Sequence, residues 1–241
     1  MHGAGVRAVR LVVLTGAGIS AESGLPTFRD ADGLWEGQDP MQVATPEAYA
    51  AHPDLVHRFY DERRAALTRV EPNAAHLALA RLEQHLGHDL TLVTQNVDDL
   101  HERAGSRHVV HMHGRLRAAR CTQCEARHPW TGPLGDRPPC PGCGRAALRP
   151  DVVWFGEIPH GMGDIERALR AADIFVSIGT SGQVHPAASF VQYAAARGTP
   201  TLELNLAASD ASSVFLESRR GPATELVPAW VDGLIGGPSR S

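Results

Sequence analysis

Short apolar runs that end in small polar residues alternate along the chain with segments of helical periodicity. The apolar runs lie at residues 9–16, 90–96, 107–114, 172–180 and 199–205. The helical patterns lie at residues 53–70, 73–86, 164–171, 186–197 and 223–235. Strands that alternate with helices are typical of α/β proteins with a mostly parallel sheet. The sequence therefore predicts a Rossmann-like, mostly parallel sheet with helices on both faces.

The carboxyl ends of the predicted strands are rich in Gly, Asn, Ser, Thr and His. In chain order they read TGAGIS, TQN, HMHG, GTS and LNL. Ligands of open α/β sheets bind in the crevice outside these strand ends. We therefore expect a polar ligand to bind along this edge of the sheet.

Composition and charge narrow the class of protein. Hydrophobic residues make up 43% of the 241 residues, which is enough for a sizeable core, and the formal net charge is −4. A chain with this net negative charge lacks the excess of basic residues that binding to nucleic acid or to an anionic membrane requires. The apolar run LVVL at residues 11–14 is far too short to span a bilayer. We expect a cytoplasmic monomer with neither nucleic-acid nor membrane partners.

Four cysteines form two C-x2-C pairs, CTQC and CPGC, separated by fifteen residues. Four thiolates at this spacing complete a tetrahedral shell around a structural zinc ion. The surrounding segment, 115–150, is poor in apolar residues, so metal binding would supply its folding free energy. Disulfides or a redox pair are the alternatives, and a cytoplasmic chain disfavours disulfides. The sequence predicts an inserted zinc-ribbon module with one Zn²⁺ held by Cys121, Cys124, Cys140 and Cys143.

The segment GAGIS at residues 16–20, with Ala21, satisfies the dinucleotide pattern G-x-G-x-x-A. Gly24 and Pro26 end any helix there within about two turns. No strand ending in an acidic residue stands about twenty residues later to hold a ribose. An ordinary nicotinamide dehydrogenase is therefore disfavoured. The loop instead continues through residues 23–35, where Phe28 and Arg29 are expected to cover a ligand.

Two further strand ends carry chemically capable side chains. Gln95, Asn96 and Asp98 can hydrogen-bond ribose hydroxyls or a carboxamide, although Asn96 could equally cap a helix whose first turn holds Asp98 and Asp99. Both interpretations stay open. In HMHG, two histidines two residues apart share one side of a strand. His113, at the strand end, is the expected general base, and the other histidine is expected to be a packed or capping residue.

Taken together, these segments resemble the sirtuins, the family of NAD-dependent protein-lysine deacylases. The resemblance runs from about Val9 to Leu234. It rests on GAGIS, AESGLPTFR, TQNVDDLHERAG, HMHG, the two C-x2-C pairs, VVWFGE, IGTS, ELN and GPA, in that order. It implies that NAD is a co-substrate and that the other substrate is an acylated lysine. The products would be free lysine, nicotinamide and 2′-O-acyl-ADP-ribose.

The resemblance also implies roles for individual residues. His113 and Asn96 would be catalytic, and nicotinamide would lie beside Ser20, Asn96 and Asp98. VVWFGE would pair with the substrate backbone as a strand, although Trp154 and Phe155 could instead be core aromatics. The implied NAD-binding residues are Gly16, Ala17, Gly18, Ile19, Ser20, Glu22, Thr27, Phe28, Arg29, Trp35, Gln95, Asn96, Val97, Asp98, Gly179, Thr180, Ser181, Asn205, Leu206, Ala207 and Ala223. The implied substrate-binding residues are Tyr60, Arg63, Val153, Trp154, Phe155, Gly156 and Glu157.

The stretch FYDERR at residues 59–64 is by itself an ordinary surface helix. One sirtuin subclass removes succinyl and malonyl groups and carries Tyr-x-x-Arg in the helix that floors its acyl pocket. Tyr60 and Arg63 match that pair, and Ala44 matches a small residue that widens the pocket. A guanidinium and a phenol can together hold a carboxylate. We therefore expect succinyl, malonyl and acetyl removal, with Arg64 facing solvent.

The resemblance implies one catalytic domain over residues 1–241. Its Rossmann-like part would comprise residues 1–35, 87–114 and 151–241, interrupted by a helical insertion at 36–86 and by the zinc module at 115–150. Two other functions stay open: an NAD-dependent mono-ADP-ribosyltransferase on the same scaffold, and a non-catalytic module that binds NAD or ADP-ribose. The presence of His113 and Asn96 argues against the second.

Overall fold

Residues 9–27, 35 and 37–236 are described by a computed structural model of the chain. The predicted ligand-covering residues Phe28 and Arg29 lie outside this range. The strands are β1 (Leu11–Thr15), β2 (Leu90–Thr94), β3 (Val109–His111), β4 (Gly114–Cys121), β5 (Arg127–Pro129), β6 (Leu148–Val152), β7 (Ile174–Ile178), β8 (Thr201–Asn205) and β9 (Glu217–Arg220). The helices are α1 (Gly18–Ala21), α2 (Pro40–Val43), α3 (Pro46–Ala51), α4 (Pro53–Ala66), α5 (Ala74–Leu86), α6 (Leu100–Arg103), α7 (Met162–Ala171), α8 (Phe190–Ala196) and α9 (Ala223–Ile235).

The main sheet has six strands in the order β3-β2-β1-β7-β8-β9. Every neighbouring pair in it is parallel. This is the strand order of the doubly wound Rossmann fold, whose ligand crevice lies where the order reverses, here between β1 and β7. The predicted α/β class and mostly parallel sheet are confirmed.

Alternate side chains of each central strand enter cores on opposite faces of the sheet. Val13 packs in the core that α5 and α9 cover, and Leu14 in the core that α7 and α8 cover. Each fully buried Val or Leu contributes about 1.5–3 kcal/mol to folding. Burial on both faces explains why these strands are continuous apolar runs rather than alternating patterns.

Several predicted element boundaries need correction. The helix predicted over 53–70 is α4 followed by a 3-10 turn at Leu67–Arg69, and the one over 186–197 is a 3-10 turn at Ala187–Ser189 followed by α8. Strand β9 was not predicted at all. Its sequence, ESRR, is entirely exposed and lies at the sheet edge, so it carries no apolar signal.

Helices α2, α3 and α4 lie between the β1 loop and α5 in the chain. Each starts with a proline at its first position, and Thr45 caps α3 by accepting a hydrogen bond from the Ala48 backbone N–H. The core under α4 contains Phe59 and Tyr60 together with Leu116 and Trp154 from distant segments. This packing fixes α4 against the second sheet and brings its inner face to the ligand crevice.

The second sheet is antiparallel, with the order β5-β4-β6. Only Val152 of the VVWFGE segment belongs to a strand, β6. Residues 153–157 leave the sheet as a turn closed by the Glu157 N–H donating to the Trp154 carbonyl over 2.9 Å. Beyond Val152 the segment is therefore not a strand of the protein's own sheets, and its pairing with a substrate backbone stays a prediction.

Among the described residues, no helix has both the length and the apolar character needed to cross a membrane.

Candidate active site

A large cleft lies at the carboxyl ends of β1, β2, β7 and β8, with a volume of about 1250 Å³. One wall consists of the loops that follow these strands. The opposite wall consists of α4 and residues 153–157. Except for Ile19, every predicted cofactor or substrate residue in the described part of the chain lines this cleft. Ile19 is fully buried in the core beneath it.

The glycines of the β1 loop bring two backbones into contact. The Gly18 N–H donates to the Gly179 carbonyl over 2.9 Å. A Cβ atom on Gly18 would lie 2.7 Å from the Gly179 Cα, and one on Gly179, whose φ is +63°, would lie 2.5 Å from the Ile19 nitrogen. Neither position therefore tolerates a side chain. The G-x-G pattern here joins the β1 and β7 loops at the floor of the cleft.

Asn96, Ser20 and Asp98 form a buried hydrogen-bonded cluster on this floor. The Asn96 amide donates to the Ser20 hydroxyl and to the Gly16 carbonyl, each over 3.1 Å. The Ser20 hydroxyl donates to Asp98 Oδ2 over 3.0 Å. Burial raises the pKa of Asp98, although the hydrogen bonds that its carboxylate accepts act to lower it. The cluster is polar but moves toward neutrality, which suits an uncharged amide ligand.

The alternative role of Asn96 as a helix cap is wrong. Helix α6 begins at Leu100, and its backbone N–H donates to Asp98 Oδ1 over 3.1 Å. The N-cap residue of α6 is therefore Asp99, and Asp98 accepts from the first N–H of the helix with one oxygen and from Ser20 with the other. Asn96 is left to orient the β1 loop.

Two buried histidines, His76 and His101, lie behind this cluster and were not among the predicted site residues. His76 Nε2 lies 3.4 Å from the Ser20 hydroxyl, and His101 Nε2 lies 3.0 Å from the Thr15 hydroxyl. Burial lowers the pKa of His76 to about 4 and that of His101 well below its usual value. The one feature of the sequence that could have indicated a structural role for His76 is Asn73, which caps α5 and forms a capping box with His76.

His113 lies just beyond the end of β3 and lines the cleft. Its Nδ1 donates to the Gln95 carbonyl over 3.1 Å, which leaves Nε2 as the unprotonated nitrogen of the neutral ring. Burial lowers the pKa of His113, and this outweighs the Gln95 hydrogen bond. The ring therefore favours the neutral form that a general base needs.

The second histidine of HMHG, His111, is buried and packed, as expected. Its Nε2 lies 2.6 Å from Glu102 Oε1 and its Nδ1 lies 3.3 Å from the Asn96 carbonyl. Burial would raise the pKa of Glu102, but the hydrogen bond and charge of His111 lower it overall. His111 thus fixes the Asn96 backbone rather than entering the cleft.

Tyr60 and Arg63 line the cleft from α4. The Tyr60 side chain is fully buried, and its hydroxyl accepts a hydrogen bond from Trp154 Nε1 over 3.0 Å. Arg63 is 6% exposed, its Nη1 donates to the Phe59 carbonyl over 2.6 Å, and its guanidinium carbon lies 5.4 Å from the Trp35 ring centroid. Burial raises the pKa of Tyr60, so the phenol keeps its proton and can donate it.

The expectation that Arg64 faces solvent is wrong, because its side chain is only 3% exposed. Its Nη1 forms an ion pair with Asp61 Oδ1 over 2.6 Å, and its Nε donates to the Leu116 carbonyl over 2.7 Å. Arg64 does not line the cleft. Arg63 and Arg64 are therefore adjacent on α4 but lie in different surroundings.

The two aromatic residues of VVWFGE differ in exposure. Trp154 is 2% exposed and packs in the core under α4, whereas Phe155 is 37% exposed at the cleft. Glu157 lines the cleft, but its carboxylate binds Arg149 through two hydrogen bonds of 2.7 and 3.0 Å. Burial opposes ionisation of Glu157, yet the Arg149 guanidinium lowers its pKa overall. Glu157 thus anchors this turn.

The far end of the cleft is formed by the loops after β7 and β8. The Asn205 amide donates to the Thr180 carbonyl over 2.7 Å and joins these two loops. The Glu22 carboxylate accepts from the Thr224 N–H over 3.1 Å at the start of α9, next to Ala223. Sequence analysis missed four residues of the β7 loop that also line the cleft: Gln183, Val184, His185 and Pro186.

The four cysteines form a compact cluster beside the second sheet. Their sulfur atoms all lie within 4.8 Å of one another, with Cys121–Cys143 at 3.7 Å and Cys124–Cys140 at 3.8 Å. In a tetrahedral zinc–thiolate site with zinc–sulfur distances of about 2.3 Å, sulfur atoms are about 3.8 Å apart. The cysteines are therefore positioned to bind one zinc ion with a closed, structural shell.

Comparison with known proteins gives closely similar chains. The model of the Sir2 family matches residues 16–186. An NAD-dependent protein deacylase of Caulobacter vibrioides is 58% identical over 231 residues, which cover 94% of this chain and 97% of that protein.

Two solved structures show how closely the fold is shared. A Sir2 homologue in complex with NAD is 42% identical, covers 93% of this chain and 89% of its own, and superimposes with a TM-score of 0.84. A mutant Sir2 homologue in complex with 2′-O-acetyl-ADP-ribose is 40% identical, covers 96% and 95%, and has a TM-score of 0.86. The family match spans most of the chain and includes the loops after β1, β2 and β7, helix α4 and residues 153–157 of the cleft. The chain belongs to the Sir2 family.

Proposed function

We propose that this protein is an NAD-dependent protein-lysine deacylase that removes succinyl, malonyl and acetyl groups. The observation that carries the proposal is the arrangement of one cleft. His113, the buried polar cluster of Ser20, Asn96 and Asp98, and the α4 residues Tyr60 and Arg63 all line this one cleft. The relative from Caulobacter is an NAD-dependent protein deacylase, and its likeness to this chain supports the same chemistry.

NAD fits the sheet side of the cleft as a co-substrate. The nicotinamide ring would lie beside Ser20, Asn96 and Asp98, and the adenosine half would lie along Gly179–Ser181 and Asn205–Ala207. The buried hydrogen-bonding groups of Ser20 and Asn96 give the polar atoms of a carboxamide partners in a site closed to water. The floor is rigid, because backbone contacts join its loops.

Acylated lysine would enter from the side of residues 153–157, where Phe155 is partly exposed. An amide oxygen is a weak nucleophile, so the cleft must align it with the ribose carbon and exclude water. His113 Nε2 would then take a proton from a ribose hydroxyl, while the Gln95 carbonyl holds the ring through Nδ1. The 2′-oxygen would attack the former amide carbon, lysine would leave, and one water molecule would be consumed, giving nicotinamide, free lysine and 2′-O-acyl-ADP-ribose.

The acyl preference rests on α4. Tyr60 and Arg63 line the cleft, Trp154 already donates to the Tyr60 oxygen, and the Tyr60 proton is therefore available for a ligand carboxylate. The Arg63 guanidinium supplies charged N–H donors that can bind a succinyl or malonyl carboxylate. Ala44 lines the same cleft and leaves space for the longer acyl chain.

The zinc ion would be structural, since its four thiolate ligands leave no open position. We assign the Rossmann-like part to residues 1–35, 87–114 and 151–241, the helical insertion to 36–86 and the zinc module to 115–150. The formal net charge of −4 supports a cytoplasmic protein with neither nucleic-acid nor membrane partners. We propose that it acts as a monomer.

The proposal is tested with purified protein, NAD and two peptides that differ only in acetyl-lysine or succinyl-lysine. Mass spectrometry follows both peptides, and nicotinamide is measured in parallel. We expect both acyl groups to be removed in step with nicotinamide release, and His113→Ala to abolish both. Nicotinamide release without loss of either acyl group would refute the deacylase assignment in favour of the ADP-ribosyltransferase.

A further inference from the structure

Helix α4 contacts the zinc module through two carboxylates, Asp54, which forms an exposed ion pair with Arg137, and Asp61, which is largely buried. The Leu134 N–H lies 2.9 Å from both Asp61 oxygens, and the Gly135 N–H donates to Oδ2 over 2.8 Å. Asp61 also forms the 2.6 Å ion pair with Arg64. Three donors therefore meet on a carboxylate that is only 17% exposed.

Arg64 extends this contact to the second sheet. Its Nε donates to the Leu116 carbonyl over 2.7 Å, and its Nη1 lies 3.4 Å from the Gly132 carbonyl. Asp61 therefore fixes Arg64 on the side of α4 that faces the zinc module. Its neighbour Arg63 lines the cleft instead.

The loop that Asp61 binds belongs to the core around the cysteines. Leu134 is fully buried there, packed with Cys121, Cys140 and Leu148. The cysteine sulfurs have the spacing that a zinc ion requires. A continuous set of contacts thus runs from the cysteine cluster through Leu134 and Asp61 to α4.

Helix α4 carries both acyl-pocket side chains one residue before and two residues after Asp61. A hydrogen bond to Trp154 and a contact with Phe59 set the local directions of Tyr60 and Arg63. The position of the helix as a whole depends on the contacts of its side that faces the zinc module. A displacement of about 1 Å is enough to spoil a charge-assisted hydrogen bond.

We infer that Asp61 is a positioning residue, which anchors α4 to the zinc module and thereby places Tyr60 and Arg63 for an acyl carboxylate. This inference rests on the proposed acyl preference, and it adds a linkage between zinc binding and acyl selectivity. Because an acetyl group makes no use of the Arg63 charge, loosening the anchor weakens succinyl binding selectively. Through the same contacts, loosening the anchor also frees the loop at Leu134, which packs against the cysteines.

The test compares Asp61→Ala, Asp61→Asn and the control Glu62→Gln, which alters an exposed carboxylate on the same helix. KM and kcat are measured for the succinyl and acetyl peptides, and zinc release is followed with a chromogenic chelator. We expect Asp61→Ala to raise the succinyl KM about tenfold and to leave the acetyl KM within about twofold, because it loosens the helix that carries Tyr60 and Arg63 and leaves the sheet side of the cleft unchanged. Zinc release should be several-fold faster.

Asp61→Asn retains an oxygen that accepts from Leu134 and Gly135 but loses the ion pair, so its values should lie between the wild type and Asp61→Ala. This variant also decides the question if Asp61→Ala fails to fold. Equal losses on both peptides with unchanged zinc release would overturn the anchor. A wild type that leaves succinyl-lysine intact refutes the proposed acyl preference, and zinc release then still tests the anchor: an unchanged rate in Asp61→Asn overturns it.

Discussion

Replacing Arg63 with methionine tests the proposed acyl pocket most directly. Arg63 is 6% exposed, lines the cleft and donates to the Phe59 carbonyl. Methionine keeps much of the apolar stem, so the aromatic surroundings of Phe59 and Trp35 stay filled. The substitution removes the positive charge and the planar set of donors that a carboxylate needs.

The expected magnitude follows from the bonds that are lost. A hydrogen bond between charged groups contributes about 1.5–3 kcal/mol, and a guanidinium fork can make two to one carboxylate. The smaller value for each gives about 3 kcal/mol, or roughly a hundredfold in kcat/KM for the succinyl peptide. The guanidinium contacts with the Trp35 and Phe59 rings, at 5.4 and 3.1 Å, are lost for both substrates, but the free enzyme and the transition state make them alike. Their loss therefore nearly cancels in kcat/KM, and deacetylation should fall by no more than about twofold.

The assay measures kcat/KM on succinyl and acetyl peptides of the same sequence for the wild type and the variant. Arg58→Met is the matched control, because Arg58 is an exposed arginine on the same helix. It should change neither value by more than about twofold, as expected of a solvent-facing charge. Equal losses on the two peptides in Arg63→Met would refute the assignment of Arg63 as the carboxylate receptor.

Three further predictions concern other parts of the site. Because burial lowers the pKa of His113 from 6.5, the acidic limb of kcat/KM should lie below pH 6.5, and a limb at higher pH would contradict its role as the base. Burial also lowers the pKa of His76 to about 4. The unfolded chain therefore binds a proton between pH 6.5 and 4 that the folded chain does not, so stability is complete above this window and falls through it. In urea unfolding, the free energy of unfolding of the wild type should fall by about 3 kcal/mol from pH 6.5 to 4, and that of His76→Gln should not show this fall. Equal pH dependence in the two proteins would contradict the prediction. Finally, zinc removal by a chelator should increase amide exchange in β4, β5 and β6 while β1 and β2 stay protected, and unchanged exchange would count against a structural metal.

The main sheet was predictable because its strands bury both faces. Continuous apolar runs such as that of β1 and β2 stand out against the surrounding helical periodicity. Strand β9 has no such signal, since Glu217–Arg220 is exposed and contains no apolar residue, and its side-chain contacts with β8 are polar ones to Glu203. Its position at the sheet edge follows from tertiary pairing with β8, which no local pattern records.

The site was predictable where one residue type had one role. His113 lies at its strand end and Asn96 in its polar cluster, as the motifs indicated. The error at Arg64 has a physical cause. Arg64 is four residues from Tyr60 and so shares its buried face, and its partners at Leu116 and Gly132 are more than fifty residues away. A buried arginine of this kind is visible only once the two segments meet.

Burial divides the electrostatics of the cleft between its two walls. On the sheet side it raises the pKa of Asp98 and lowers those of His76 and His113, so each group moves toward its uncharged form. On the α4 side, Arg63 stays charged at any pH at which the fold survives. Protonation of His113 should therefore slow the removal of every acyl group alike. Selectivity for a carboxylate should stay constant through the same pH range, as long as the acyl carboxylate itself is ionised. The chemistry and the choice of acyl group thus titrate separately, because different walls of one cleft supply them.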